Sequence, residues 1–457
     1  MTETSAPLSP VGDSGKDCSE KLVSITSEIS ASEPSAEPSE YCSDYETHAS
    51  QSYSVISQEA SGDRPTKHDE AFVPSTQWGV ISPLVGEKLG LHYQQIPVRS
   101  PELGEVIVRI AWTGICRSDV SFSKGPSPGL PAYNHIAGHE GIGHVVQSAD
   151  PSRIGLPVGI RYIGHTCGFC SHCRAGLPEQ CARQMNSPKH YNGTFQQFMT
   201  VPWSCLVPLP EWVFDPHGGI SPAIYTAAMC SGAAALKAVR AAGIRAGDVV
   251  VINGIAGGIG HLAGQIAKNV RGAKVIGLDL GWKIESLAPE RSSSFCDHIL
   301  ATPNSSDLTS SKFLHALEEI CSSLRGRPIE RRLADTVINC ASTEEQQFTG
   351  LENIARDGGV VVYCGVPRTD LELSVTLHNL VERQLTIKGT LMGGPDVTYE
   401  VLEYIKQGRI KPVTTEINLD EVPQGMQDLL DCKGIGKLVV KVNGPLASRV
   451  EAGTLSI

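Results

Sequence analysis

Cys167, Cys170, Cys173 and Cys181 fall in a single run, C-G-F-C-S-H-C-R-A-G-L-P-E-Q-C. Four thiols this close together can enclose a tetrahedral metal without help from the rest of the chain. Thiolates are soft ligands suited to zinc, and four of them fill the coordination sphere. Such a site holds a loop and leaves no position for a substrate. Two disulfides are the competing reading, but they need an oxidising compartment. The N-terminus, Met1-Thr2-Glu3-Thr4, has no basic region followed by an apolar stretch that would lead there. An iron-sulfur cluster or a rubredoxin-like iron also accepts four thiolates.

A second set of metal-binding side chains is scattered: Cys116 in C-R-S-D, His139 and Glu140 in G-H-E-G, and Cys230 in M-C-S-G. Ligands drawn from separate segments are what an open catalytic zinc site requires, since three or four of them can leave one position facing a cleft. Spacing alone does not establish such a site. A lone histidine is more often a satisfied structural residue, and a lone cysteine more often core.

A third feature reads as a cofactor turn. G-I-A-G-G-I-G, with Gly254, Gly257, Gly258 and Gly260, lies between the apolar run V-V-V-I-N (Val249 to Asn253) and the helically spaced I-G-H-L-A-G-Q-I-A-K (Ile259 to Lys268). Small residues let the backbone approach a pyrophosphate, which a helix N-terminus stabilises. Asp279 closes the next strand, Lys274 to Leu278, about 20 residues past the last glycine. A carboxylate there accepts hydrogen bonds from ribose hydroxyls and repels a 2'-phosphate, favouring NAD over NADP. Lys283, just beyond it, is counted with the cofactor-binding residues.

The elements that must position these groups divide the chain. Residues 1–70 are rich in Ser, Glu and Pro, lack helix or strand periodicity, and read as a disordered, solvated tail, with a docking segment as the alternative. The acidic residues there argue against a mitochondrial transit peptide. Residues 71–229, including the strand Glu105 to Trp112, read as a strand-rich, metal-binding domain. Residues 230–393 read as a doubly wound parallel sheet, with further strands in Asp335 to Cys340 and Gly359 to Gly365. Residues 394–457 are too short for a core of their own and are expected to complete the first domain. The formal charge of -11 opposes broad nucleic-acid binding. No stretch reaches the length of a membrane span, so a soluble, cytoplasmic protein is expected.

Taken in order, the Cys116 and His139 motifs, the four-cysteine run, G-T-F-Q-Q (Gly193 to Gln197), C-S-G at Cys230 and the Gly254 turn resemble the zinc-dependent medium-chain alcohol dehydrogenases, most of all the yeast-type branch. The resemblance covers about Ala71 to Val442. It implies a GroES-like catalytic domain joined to a Rossmann domain, two zinc ions per chain and NAD. Cys116, His139 and Cys230 would ligate the catalytic zinc, with Glu140 an exchangeable fourth ligand and Asp119 orienting His139. Arg117 and Lys437 would face the cofactor pyrophosphate, Lys437 as a point charge where Arg is common. Met392 would line the nicotinamide wall. The reaction implied is hydride transfer between an alcohol and the nicotinamide, with an aldehyde or ketone as product, and the assembly implied is a dimer or tetramer.

Ser118 stands at the family's proton-accepting Ser/Thr position, but the relay histidine three residues later is Ser121, which cannot act as a terminal base near neutral pH. Ser121 reads equally as an exposed loop residue. Ala234 replaces a threonine behind the nicotinamide, and the narrowing tryptophan is missing near Ser127. A wider pocket and a substrate bulkier than ethanol are expected. The alternatives are a double-bond reductase of the same superfamily, opposed by the metal ligands and Asp279, and a non-catalytic zinc- and NAD-binding regulatory protein. Cys205, Cys296 and Cys432 read as packing residues.

Overall fold

Two short strands, β1 (Thr76–Ile81) and β2 (His92–Pro97), pair antiparallel ahead of β3 (Glu105–Ile115), the longest strand in the computed structural model. The structure describes residues 73–82, 89–124, 135–303, 310–326, 333–341, 350–367 and 372–444. The tail, the position near Ser127 and the last residues of the C-terminal segment lie outside these.

The alternating apolar residues of β3 serve several cores. Val106, Val108 and Ile110 pack into one cluster, Ala111 and Trp112 into another, and Ile115 into a third. This explains why β3 is central, pairing with β4 (Gly141–Ser148), with β8 (Phe198–Pro202) and with a strand from the far end of the chain. The strands β5 (Pro157–Ile160) and β9 (Leu206–Pro208) extend the sheet from β4. Between them, β6 (Ile163–His165) and β7 (Met185–Asn186) form a small antiparallel pair flanking the four-cysteine run.

The second sheet is parallel throughout and contains β10 (Val249–Asn253), β11 (Lys274–Asp279), β12 (His298–Ala301), β13 (Ala334–Asn339), β14 (Ala355–Tyr363) and β15 (Thr386–Gly389). In β10, Val250 and Ile252 join one core while Val249 and Val251 join another. Burial on both faces is why this strand reads as a continuous apolar run rather than an alternating one. The spatial order β12-β11-β10-β13-β14-β15 reverses direction between β10 and β13, so a crevice opens at their C-terminal ends. There the side chains of Asn253 and Asn339 are hydrogen-bonded at 2.9 Å. The helical run after the glycines is an α-helix only over Gly260–Gln265 and continues as a π turn, Ile266–Val270, with Ile266 and Ala267 buried.

The chain then returns: β16 (Thr414–Asn418) and β17 (Lys437–Lys441) join the first sheet, β17 antiparallel to β3 with Leu438 opposite Ile115. That register brings Lys437 beside Cys116. Among the described residues no helix is long and apolar enough to cross a membrane.

Candidate active site

Cys116 links β3 to the helix Arg117–Lys124, His139 and Glu140 lead into β4, and Cys230 precedes the helix Ser231–Ala242. The pairing of Thr113 with Gly141 draws the first two segments together. One ligand atom from each of Cys116, His139, Glu140 and Cys230 lies within 4.8 Å of the others. His139 and Glu140 are almost completely buried. Buried Asp119 accepts from His139 Nδ1 at 2.8 Å and from the amides of Gly138 and Cys116. With Nδ1 occupied, Nε2 is the nitrogen left to face a metal. Two thiols, one imidazole and one carboxylate form a donor set that suits zinc.

Lys437 Nζ reaches Glu140 at 2.6 Å and 2.5 Å and the Ile115 carbonyl at 3.1 Å. Burial pushes the Glu140 carboxyl up to about 7 while the lysine opposes the shift. Burial works against the Lys437 ammonium, yet Glu140 and the two cysteines hold it above its usual value. Hydrogen bonding to Cys230 moves the Cys116 thiol well below its ordinary range, helped by His139 and Lys437.

Around this centre lie aromatic rings. Phe122 and Tyr162 stack at 5.5 Å, and each meets the His139 ring edge-on, at 5.9 Å and 5.7 Å. Met392 Sδ is 3.9 Å from Cys230 Sγ. Ser118 Oγ lies 3.4 Å from His139 Nε2. Ser121 is in a helix and only 7% exposed, which overturns its reading as an exposed loop residue.

The sulfurs of Cys167, Cys170, Cys173 and Cys181 also lie within 4.8 Å of one another. Cys167 and Cys181 are 3.5 Å apart. Tetrahedral zinc with bonds of about 2.3 Å would separate its sulfurs by about 3.8 Å, whereas a disulfide needs about 2.05 Å. The amides of Cys167 and Arg183 both donate to Cys181 Sγ, at 3.4 Å.

The crevice beside the first metal set is lined by Arg117, Gly254, Gly257, Gly258, Asp279, Lys283 and Lys437, so these expected cofactor residues share one cavity. Gly254 holds φ +78°, a left-handed turn that favours glycine. Gly260 faces inward instead: a Cβ there would overlap the Gly254 carbonyl oxygen. Asp279 is buried, its oxygens accepting from the amides of Ala256 and Leu280 at 2.8 Å and 2.9 Å, and is therefore not a solvated strand-end carboxylate. Met392 is not among the residues lining this cavity. Arg117 lines it, but its guanidinium also donates to the carbonyls of Leu429 and Leu430.

Residues 102–211 match the alcohol dehydrogenase GroES-like domain, and residues 258–407 match the zinc-binding dehydrogenase domain. Alcohol dehydrogenase 1 of Emericella nidulans is 30% identical over 355 residues, 77% of this chain and 94% of that protein. The chain belongs to the zinc-dependent medium-chain alcohol dehydrogenase family. An alcohol dehydrogenase of Geobacillus stearothermophilus is 26% identical over 78% of this chain and 96% of its own length. Among solved structures, an NAD-dependent alcohol dehydrogenase superposes with a TM-score of 0.65 at 25% identity, covering 80% of this chain and 99% of that one.

Three features of this family member escape a reading of the sequence. Cys432 is not a packing residue: it holds φ +61° and lines the crevice, with its sulfur 4.0 Å from the Arg117 guanidinium. His261, on the helix after the glycines, is buried and ties the Gly257 carbonyl to the Val413 amide. Arg161 is buried, donates to the Gly393 carbonyl, and is moved down to about 10 by burial. No local motif marks these side chains, because their partners lie more than a hundred residues away or on the backbone.

Proposed function

We propose that the chain is a zinc-dependent oxidoreductase that interconverts an alcohol with an aldehyde or ketone using NAD(H), with a pocket wider than that of ethanol-specific enzymes. Convergence carries the reading: the Cys116, His139, Glu140 and Cys230 set adjoins the Asp279 crevice, and Lys437 belongs to both. Cys116, His139 and Cys230 would hold the catalytic zinc and Glu140 would exchange onto it, while Cys167, Cys170, Cys173 and Cys181 would hold a structural one. When bound, the zinc supplies Lewis acidity toward oxygen and the cofactor supplies or accepts hydride.

The chain's own groups do the rest. Asp119 orients His139, Ser118 accepts the alcohol proton, and Asp279 selects NAD by receiving the ribose hydroxyls. Lys437 pairs with Glu140 at the edge of the donor set and opposes the burial that raises its carboxyl, while Arg117 and Lys283 place positive charge along the crevice. Phe122, Tyr162 and Met392 present an apolar wall, and Ala234 leaves room where a larger residue would intrude. In this reading 71–229, completed by 394–457, carries the metals with Cys230 from the start of 230–393, the rest of 230–393 carries the cofactor, and the assembly is a dimer or tetramer.

The test is NADH formation by zinc-loaded protein with ethanol and with longer, branched and aromatic alcohols. A higher kcat/KM for the larger alcohols is expected. Equal or better turnover of ethanol would remove the wide-pocket claim, and zinc and NAD binding with no turnover in either direction would favour a non-catalytic role.

A further inference from the structure

Cys340 and Cys364 directly follow β13 and β14, neighbouring parallel strands of the cofactor sheet. Their sulfurs are 3.6 Å apart, both residues are half-buried, and among the described residues neither belongs to a group that could hold a metal. Neighbouring strands run about 4.8 Å apart, inside the Cα separation that a disulfide spans, so side-chain rotation can supply much of the closure. Cys340 also lines the cofactor crevice, beside Asn253, Gly254 and Ala341.

We propose that Cys340 and Cys364 form a modification site, a dithiol that a small-molecule disulfide closes to an intramolecular disulfide, weakening cofactor binding. One cysteine sulfur attacks the oxidant, releasing one small thiol and leaving a mixed disulfide. The second cysteine attacks the protein sulfur of that mixed disulfide and releases the other small thiol. Two protein thiols lose two electrons and two protons, and the oxidant becomes two thiols.

The coupling to the crevice follows from packing. Cys364 and Gly365 both donate their amides to the Asn339 carbonyl, at 3.0 Å and 3.1 Å. A Cβ on Gly365 would overlap the Ala341 carbonyl oxygen. The two backbones therefore have little room to approach each other, so whatever part of the closure rotation does not supply falls on Cys340 and Ala341. That segment backs the cofactor turn: a Cβ on Gly254 would lie 3.0 Å from the Ala341 amide nitrogen. A crosslink thus reshapes the wall against which the glycine turn is set. Hydrogen bonding with the Cys364 sulfur and burial hold the Cys340 thiol well above its usual range, which slows attack by that sulfur.

The effect on cofactor rests on the reading of the crevice as the NAD site; the crosslink does not. The experiment treats the zinc-loaded full chain with oxidised glutathione, then maps disulfides by peptide mass spectrometry and measures zinc content and NAD affinity. A peptide containing Cys340 joined to one containing Cys364 is expected, with zinc retained. The NAD dissociation constant should rise at least about fivefold, the lower end of ordinary site-to-site coupling. Dithiothreitol should reverse the change, prior NAD should slow it, and Cys364→Ser should abolish it. Both thiols remaining alkylatable, or disulfides confined to the zinc cysteines, would overturn the site. A crosslink that leaves NAD affinity unchanged would overturn the coupling, whereas failure of the reduced protein to bind NAD would instead sink the cofactor reading.

Discussion

Lys437 and Glu140 are 3% and 0% exposed as side chains, so each neutralises a charge that water cannot reach. Removing one partner of such a pair strands the other, a loss of about 3–5 kcal/mol. Lys437→Met should lower stability by that order in urea denaturation, and Lys437→Arg should recover most of it. Asp119 is equally specific, because it fixes the ring of His139 through Nδ1. Asp119→Asn should weaken zinc at the Cys116 set by about 10- to 100-fold in chelator competition, while the four-cysteine site keeps its affinity. At this scale the sequence was legible where candidate ligands sit in compact motifs, as with Cys116, His139 and Cys167 to Cys181, whose donor atoms the structure brings together. The Lys437 to Glu140 pair was not, since its members are 297 positions apart and meet only through the pairing of β17 with β3.

The turn between β10 and its helix is built by close backbone approach. Gly260→Ala would force a methyl onto the Gly254 carbonyl, so NAD affinity should fall together with about 1–3 kcal/mol of stability, read by calorimetry and titration. His261 secures the same element, and burial holds its imidazole down at about 4. An unfolded histidine takes up a proton near 6.5, and the folded one resists it until about 4. Folding stability should therefore fall as pH drops through that window, by about 3 kcal/mol, and His261→Gln should flatten the loss in pH-dependent urea denaturation. The elements themselves were readable: β10, β11, β13 and β14 overlap the apolar runs seen in the sequence, because burial on both faces leaves an unmistakable pattern. The π turn at Ile266–Val270 was not, since its composition continues that of the helix before it.

Across the molecule, two sheets with different rules meet at the crevice. The first carries Cys116, His139 and Glu140, which could hold a metal, at the ends of its strands; the second offers a backbone turn at the point where strand order reverses. Strand β17 joins them, because its first residue lies in the crevice while its ladder belongs to the first sheet. Family resemblance made this architecture readable from scattered motifs, whereas the closeness of Cys340 to Cys364 depends on strand order, which composition does not carry. The most direct test follows NADH absorbance with zinc-loaded protein, NAD and a panel of alcohols, beside a Cys230→Ala variant that retains the four-cysteine site. Turnover in the parent chain that disappears in the variant, with one zinc fewer per chain, is the predicted result. Undiminished turnover in a variant that has lost that zinc would contradict the account.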